Sequence, residues 1–286
     1  MIEAILTLVV PGAFFGVFLY VASRFFSVQI DPRAEKIAEV LPGANCGGCA
    51  FGGCTAYAKA IAAGAAQPGR CGPGGEAVAR RIAEILGVEF TAEARKVSVL
   101  LCAGDSEKCR PRARYDGVAD CVAALHAQSA AKACSFGCLC LGTCARVCPF
   151  DAIVTGPTGL PFVLEDRCTS CGKCVDACPK KLFQLRSVDS FVHVRCSSHD
   201  RGPDTKKACS VGCIACGACV KACKFDAIKV VDNLAVIDYA KCKSCGACVG
   251  ACPQHTIWTY RKVRKDRAKA TSGGEKPSED VAAAAS

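Results

Sequence analysis

Cysteine is the residue through which this chain could do chemistry: 26 of its 286 residues are cysteines. Such a count fits either a secreted disulfide scaffold or a reduced protein whose thiolates hold metal, and spacing separates the two. "DRCTSCGKCVDACPK" and "AKCKSCGACVGACPQ" each carry Cys-x2-Cys-x2-Cys-x3-Cys, through Cys168, Cys171, Cys174 and Cys178 and through Cys242, Cys245, Cys248 and Cys252. Cys213, Cys216, Cys219 and Cys223 repeat the pattern. This is the spacing of bacterial [4Fe-4S] ferredoxins, in which three cysteines of one arm bind a cluster whose fourth ligand comes from the far end of the other arm.

That rule assigns Cys213, Cys216, Cys219 and Cys252 to one cluster and Cys242, Cys245, Cys248 and Cys223 to its neighbour. An earlier copy is visible when "ACSFGCLCLGTCARVCPFDAI" is laid over "ACSVGCIACGACVKACKFDAI". Cys134, Cys138, Cys144 and Cys148 fall on Cys209, Cys213, Cys219 and Cys223, and the second arms match likewise. In the earlier copy Cys148, Cys168, Cys171 and Cys174 form a regular set. The other set, Cys138, Cys144 and Cys178, has Leu141 where Cys216 stands and needs a substitute thiolate. Cys134 and Cys140 are the candidates, and the repeat favours Cys134, because Cys140 falls on Ala215.

A different motif precedes these arms: Cys46-x2-Cys49-x4-Cys54-x16-Cys71, with Gly47, Gly48, Gly52 and Gly53 in the intervals. Glycine lets a backbone close around a cluster and aim N–H groups at its sulfurs. On its own the motif also suits zinc or a [2Fe-2S] centre; beside ferredoxin arms it reads as a [4Fe-4S] site. The expected complement is about five clusters. Cys102, Cys109 and Cys121 stand open as ligands of a sixth that would need a distant fourth thiol, against the alternative of buried structural cysteines. "VSVLLC" before Cys102 echoes "FVHVRC" before Cys196, so these stretches belong to the repeat.

The formal charge of +10 counts cysteines as neutral. Each oxidised cluster with its four thiolates carries about −2, so about five sites bring about −10 and cancel the excess. Nucleic acid is therefore not an expected partner. Lys173, Lys180, Lys181, Lys221, Lys224, Lys241 and Lys243 sit beside cluster motifs, where they balance that charge or offer an acidic electron carrier a landing surface. Lys224 stands where a proline usually follows the remote cysteine. His126, His193, His199 and His255 have no paired spacing, and no dinucleotide-binding glycine motif or P-loop occurs.

The elements that must position these residues begin with "AILTLVVPGAFFGVFLYVA", Ala4 to Ala22, an uncharged run long enough to cross a hydrocarbon core of about 30 Å. Arg24, Arg33 and Lys36 after it, against Glu3 before it, place the bulk of the chain on the cytoplasmic side. Val78, Ile82, Ile85 and Leu86 predict an amphipathic helix within Glu76 to Phe90. "KLFQLRS" and "AIKVVDNLAVID" alternate as short strands. The basic, then Gly-, Ser- and Ala-rich end predicts a disordered tail. The expected fold class is α+β: a transmembrane anchor over 1–28, a [4Fe-4S] domain over 29–92, two ferredoxin-like modules over 93–190 and 191–262, and a tail over 263–286.

This order of anchor, "NCGGCAFGGC" domain and paired ferredoxin arms resembles the B subunit of the Rnf complex, a membrane-bound ion-translocating ferredoxin:NAD oxidoreductase. The resemblance covers nearly the whole chain apart from the tail. It implies a single-pass protein of the cytoplasmic membrane that takes electrons from soluble reduced ferredoxin and relays them to other subunits, which hold the flavins and the NAD site. The alternatives are a polyferredoxin subunit of a hydrogenase or other membrane dehydrogenase and, in another class, a zinc-binding structural protein.

Overall fold

The computed structural model describes residues 2–25, 31–90, 94–127 and 131–260; the tail expected over 263–286 lies outside them. Helix α1 (Ile2–Phe25) covers the apolar run, with Pro11 inside it. Among the described residues no helix is long and apolar enough to cross a membrane. The side chains of residues 2–8 and 10, in the first half of α1, are outside that set, and the expected spanning segment falls partly on them.

Three short helices follow: α2 (Pro32–Val40), α3 (Cys54–Ala62) and α4 (Gly75–Leu86). Asp31 caps α2 by accepting the Arg33 N–H at 2.8 Å, with Pro32 at the first helical position, where its missing N–H costs nothing. The three helices bury Ile37, Leu41, Tyr57, Ala58, Ile61 and Ile82 against one another. Each fully buried large side chain of this kind contributes about 1.5–3 kcal/mol. The predicted helix over Glu76 to Phe90 stops at Leu86 because Gly87, at φ 68°, turns left-handed and returns its N–H to the Ala83 and Glu84 carbonyls.

The first module runs β1 (Lys96–Leu100), α5 (Cys121–His126), α6 (Thr143–Arg146), β2 (Ile153–Thr155), β3 (Pro161–Val163), α7 (Lys173–Ala177) and β4 (Phe183–Ser187). The second runs β5 (Val192–Val194), α8 (Gly202–Ala208), α9 (Ala218–Ala222), β6 (Ile228–Val231), β7 (Leu234–Ile237), α10 (Ala247–Ala251) and β8 (Ile257–Thr259). In each module the first strand pairs antiparallel with the last, Leu100 opposite Phe183 and Val194 opposite Ile257. The inner strands form a second antiparallel pair. Asp232 and Asn233, both at positive φ (47° and 59°), make the tight turn between β6 and β7.

The two modules are joined by backbone and by aromatic rings. Cys109 bridges to Cys209, the Arg110 N–H donates to the Ala208 carbonyl at 2.9 Å, and the Ser197 hydroxyl donates to the Leu101 carbonyl at 2.9 Å. Trp258 and Tyr260, from the end of the second module, pack against Phe162 of the first, each with ring centroids 6.3 Å from it. The N-terminal domain abuts the first module closely: a Cβ on Gly48 would lie 2.7 Å from the Cys171 Cα, and one on Gly72 would run into the Thr169 carbonyl oxygen.

Candidate metal centres

Each ferredoxin arm wraps its loop in the same way. The residue before the middle position of the arm adopts a left-handed backbone: Cys140 (φ 60°), Ser170 (61°), Ala215 (53°) and Ser244 (49°). Two residues on, Gly142, Gly172, Gly217 and Gly246 do so again and start the short helix that carries the third cysteine. Three residues after each remote cysteine, Asp151, Lys181, Asp226 and His255 also turn left-handed. A non-glycine residue in this conformation costs about 1–2 kcal/mol. The gain is that amides point at sulfur: Ala152, Leu182 and Ala227 each donate their N–H at 3.4 Å to the thiol four residues back, on Cys148, Cys178 and Cys223.

The folds of these loops gather thiols around cavities. Cys46, Cys49, Cys54 and Cys71 line one of about 310 Å³, closed at one side by Tyr57, whose hydroxyl bridges the Gln67 carbonyl and the Arg70 amide. Asn45 holds its rim by accepting the Cys54 N–H at 2.8 Å. Cys213, Cys216, Cys219 and Cys252 line one of about 360 Å³, and Cys223, Cys242, Cys245 and Cys248 one of about 300 Å³. Cys148, Cys168, Cys171 and Cys174 also converge, with the Ser98 hydroxyl 3.1 Å from the Cys174 sulfur and the Ser98 N–H donating to Cys168 at 3.4 Å.

Beside the irregular arm lies a thiol that the repeat did not suggest. Cys138, Cys144 and Cys178 line a cavity of about 350 Å³ together with Cys121, and neither Cys134 nor Cys140 is among its lining residues. Cys121, and not the expected Cys134, is the fourth thiol on this cavity. Helix α5, which begins with Cys121, is capped by Asp120, whose carboxylate accepts the Val122 and Ala123 amides at 2.9 and 3.0 Å. The same carboxylate accepts from the Thr143 hydroxyl at 2.9 Å and pairs with Arg146 at 3.1 Å. Thr143 in turn accepts the Cys121 N–H at 2.7 Å, so α5 is fastened to α6 with its cysteine toward Cys144.

Cys140 turns away from that cavity. Its sulfur is 2.8 Å from Lys132 Nζ, which also donates to the Gly104 carbonyl at 2.8 Å. Cys134 lies in a further cavity of about 360 Å³ between the modules, with Cys102, Cys109, Cys196 and Cys209. Cys102 and Cys109 thus do come together, but with partners other than Cys121. None of the four histidines lines any of these cavities; His193 pairs its Nδ1 with the Tyr239 hydroxyl at 2.9 Å.

Burial raises the thiols above their ordinary range, Cys144 to about 12 and Cys174 and Cys248 to about 11, and neighbouring thiols add to the effect. Thiolates gathered this way need a positively charged core among them. Among the described residues no three His, Cys, Asp or Glu side chains close on a point that one metal ion could occupy. Four thiols brought to one cavity from the Cys-x2-Cys-x2-Cys arms and a remote cysteine match the ligand pattern of a [4Fe-4S] core.

Paired two-strand modules wrapped around thiol-lined cavities define a multi-cluster iron–sulfur electron-transfer protein. Residues 41–73 match a family described as "Putative Fe-S cluster", and 133–183 and 212–257 match the 4Fe-4S dicluster domain. The chain is 47% identical over 246 residues to the B subunit of the Na+-translocating ferredoxin:NAD+ oxidoreductase complex of Acetobacterium woodii, covering 86% of this chain and 74% of that one. It is 43% identical to the B subunit of the ion-translocating oxidoreductase complex of Methanosarcina acetivorans, over 90% of this chain and 97% of the relative. The B subunit of a proton-translocating ferredoxin:NAD+ oxidoreductase complex from Clostridium ljungdahlii matches at 42%, over 85% of each chain. The chain belongs to the family of Rnf complex B subunits.

Proposed function

We propose that this protein is the membrane-anchored iron–sulfur relay of a ferredoxin:NAD oxidoreductase complex, with clusters on five thiol sets. These are Cys46, Cys49, Cys54 and Cys71; Cys148, Cys168, Cys171 and Cys174; Cys121, Cys138, Cys144 and Cys178; Cys213, Cys216, Cys219 and Cys252; and Cys223, Cys242, Cys245 and Cys248. The observation that carries the reading is that neighbouring sets lie side by side. Cys46 lies near Cys171, Cys174 near Cys144, and Cys219 near Cys248, which gives electrons a path from the N-terminal set through the first module and between the two sets of the second.

Soluble ferredoxin enters at the second module. Cys216 and Cys245 are the two exposed cysteines among the described residues, and Lys221, Lys224, Lys241 and Lys243 stand exposed around the last set, suited to an acidic carrier. Helix α1 anchors the chain in the membrane, where its exposed Phe14, Phe15, Val17, Phe18 and Leu19 meet lipid. Relatives of similar identity are named for sodium in one case and protons in another, so the resemblance assigns no coupling ion to this chain.

Reduction of the anaerobically purified protein by reduced ferredoxin, followed by stopped-flow bleaching near 400 nm, tests the proposal. Rapid bleaching that slows with added salt is expected. A colourless protein containing zinc and little iron would overturn it.

A further inference from the structure

The stretch from Cys102 to Cys134, longer than its counterpart from Cys196 to Cys209, has an inner and an outer side. It is fastened firmly. The Arg112 N–H donates to the Ala131 carbonyl and the Ala133 N–H to the Arg110 carbonyl, each at 2.8 Å, while Thr143 and Arg146 hold Cys121 and Asp120. On the inner side of α5, Cys121 lines the thiol cavity and Ala124 is buried. The outer side is aliphatic: Val122 and Leu125, three positions apart and so on one helix face, are 41% and 38% exposed. Val118, just before the cap, is 73% exposed. None of these three lines the thiol cavity. The helix in the corresponding stretch of the second module, α8, exposes Asp204, Lys206 and Lys207, as a solvated helix does.

Charge accompanies this aliphatic stripe. Arg110, Arg112 and Arg114 are exposed in the run leading to it, and Arg114 is four residues from Val118, about 14 Å at full extension. Between residues 110 and 126 the acidic side chains are Asp116 and Asp120. Each already pairs with an arginine, Asp116 with Arg114 at 2.7 Å and Asp120 with Arg146 at 3.1 Å. Positive charge is therefore left over beside an aliphatic centre.

We infer that this outer face is a docking surface for another subunit of the oxidoreductase complex, one that presents aliphatic side chains rimmed by carboxylates. Three other occupants fit less well. A second copy of the chain, meeting it about a two-fold axis, would set arginines against arginines. A soluble carrier makes a small, short-lived contact, whereas an aliphatic centre marks a lasting interface. Helices that lie on lipid carry Trp, Phe or Leu along many residues, and α5 has six. A helix is about 10 Å across, so a subunit docked here lies close enough to exchange electrons with the Cys121, Cys138, Cys144 and Cys178 set. The first module thereby has a port of its own, a consequence that rests on this set holding a cluster.

The test is made on the whole complex, solubilised in mild detergent and purified anaerobically through a tag on this chain, with Arg110→Glu/Arg112→Glu and Val122→Asp as variants. Each is expected to lower the yield of at least one other subunit severalfold, while the chain keeps its iron and is bleached by reduced ferredoxin at the wild-type rate. An unchanged subunit composition in both variants overturns the inference. Slower bleaching with every subunit retained assigns the face to the soluble carrier, and a halved mass of the solubilised chain assigns it to a second copy; both results also overturn it. If Val122→Asp disturbs α5, about four iron are lost, and the arginine variant, which lies outside the helix, then decides. A wild type that loses its partner subunits on these substitutions yet contains no iron overturns the relay and the port, and leaves the docking surface standing.

Discussion

In the proposed set, Cys121 replaces the ligand missing at Leu141 without altering the loop that lost it. Cys140 keeps the same left-handed backbone as Ala215, so the arm still wraps as if a thiol followed it. The replacement comes from a stretch that the second module lacks: Cys102 to Cys134 spans 32 positions, whereas the equivalent Cys196 to Cys209 spans 13. Aligning the copies exposed the vacancy but could not name its filler, because Cys121 lies in this insertion and has no structural counterpart to compare. Its one local signal, an aspartate at a helix start, points to a cap and not to a ligand. Cys121→Ala should lose about four iron, and Cys121→Ala/Leu141→Cys should recover them, since the unaltered loop then presents a thiol at the place of Cys216. Cys140→Gly should retain all the iron while relieving a strained φ of 60°. Iron analysis with EPR of the three variants checks both statements.

Among the elements, β4, β6, β7 and the amphipathic helix were legible because alternation and 3.6-residue periodicity follow directly from which side chains are buried. The helix end at Gly87 and the pairing of first strand with last were not, since one depends on a left-handed cap and the other on contacts between distant parts of the chain. Packing between the N-terminal domain and the first module was equally hidden. It rests on glycines that lie against the backbone of Cys171 and Thr169, and spacing alone reads such glycines only as loop formers. Gly48→Ala should therefore weaken the docking by about 1–3 kcal/mol, because Cys171 backbone is in the way of its methyl group. The iron content should stay constant while the magnetic coupling between the Cys46 and Cys171 clusters declines, which EPR of the reduced protein measures.

For the whole molecule, the apolar helix and the packed domains separate cleanly in sequence, with α1 ending at Phe25 and the packed domains beginning at α2. A chain lacking residues 1–30 should leave the membrane fraction yet keep its full iron content and its reduction by ferredoxin; sedimentation with iron analysis tests this. The balance of charge is also a property of the whole. If the lysines exposed around the last thiol set receive an acidic protein, as proposed, its affinity should fall with ionic strength.

The pairing of each first strand with its own last strand has a consequence for biogenesis. A polypeptide emerging from the ribosome can close the first module once Ser187 is available, whereas β5 waits for β8 at Thr259 and the junction cavity waits for Cys209. Cofactor delivery is thereby ordered from the N-terminus onward. A nascent chain arrested before Cys252 would already carry the thiols of the Cys46, Cys171 and Cys138 sets, while the second module stayed incomplete.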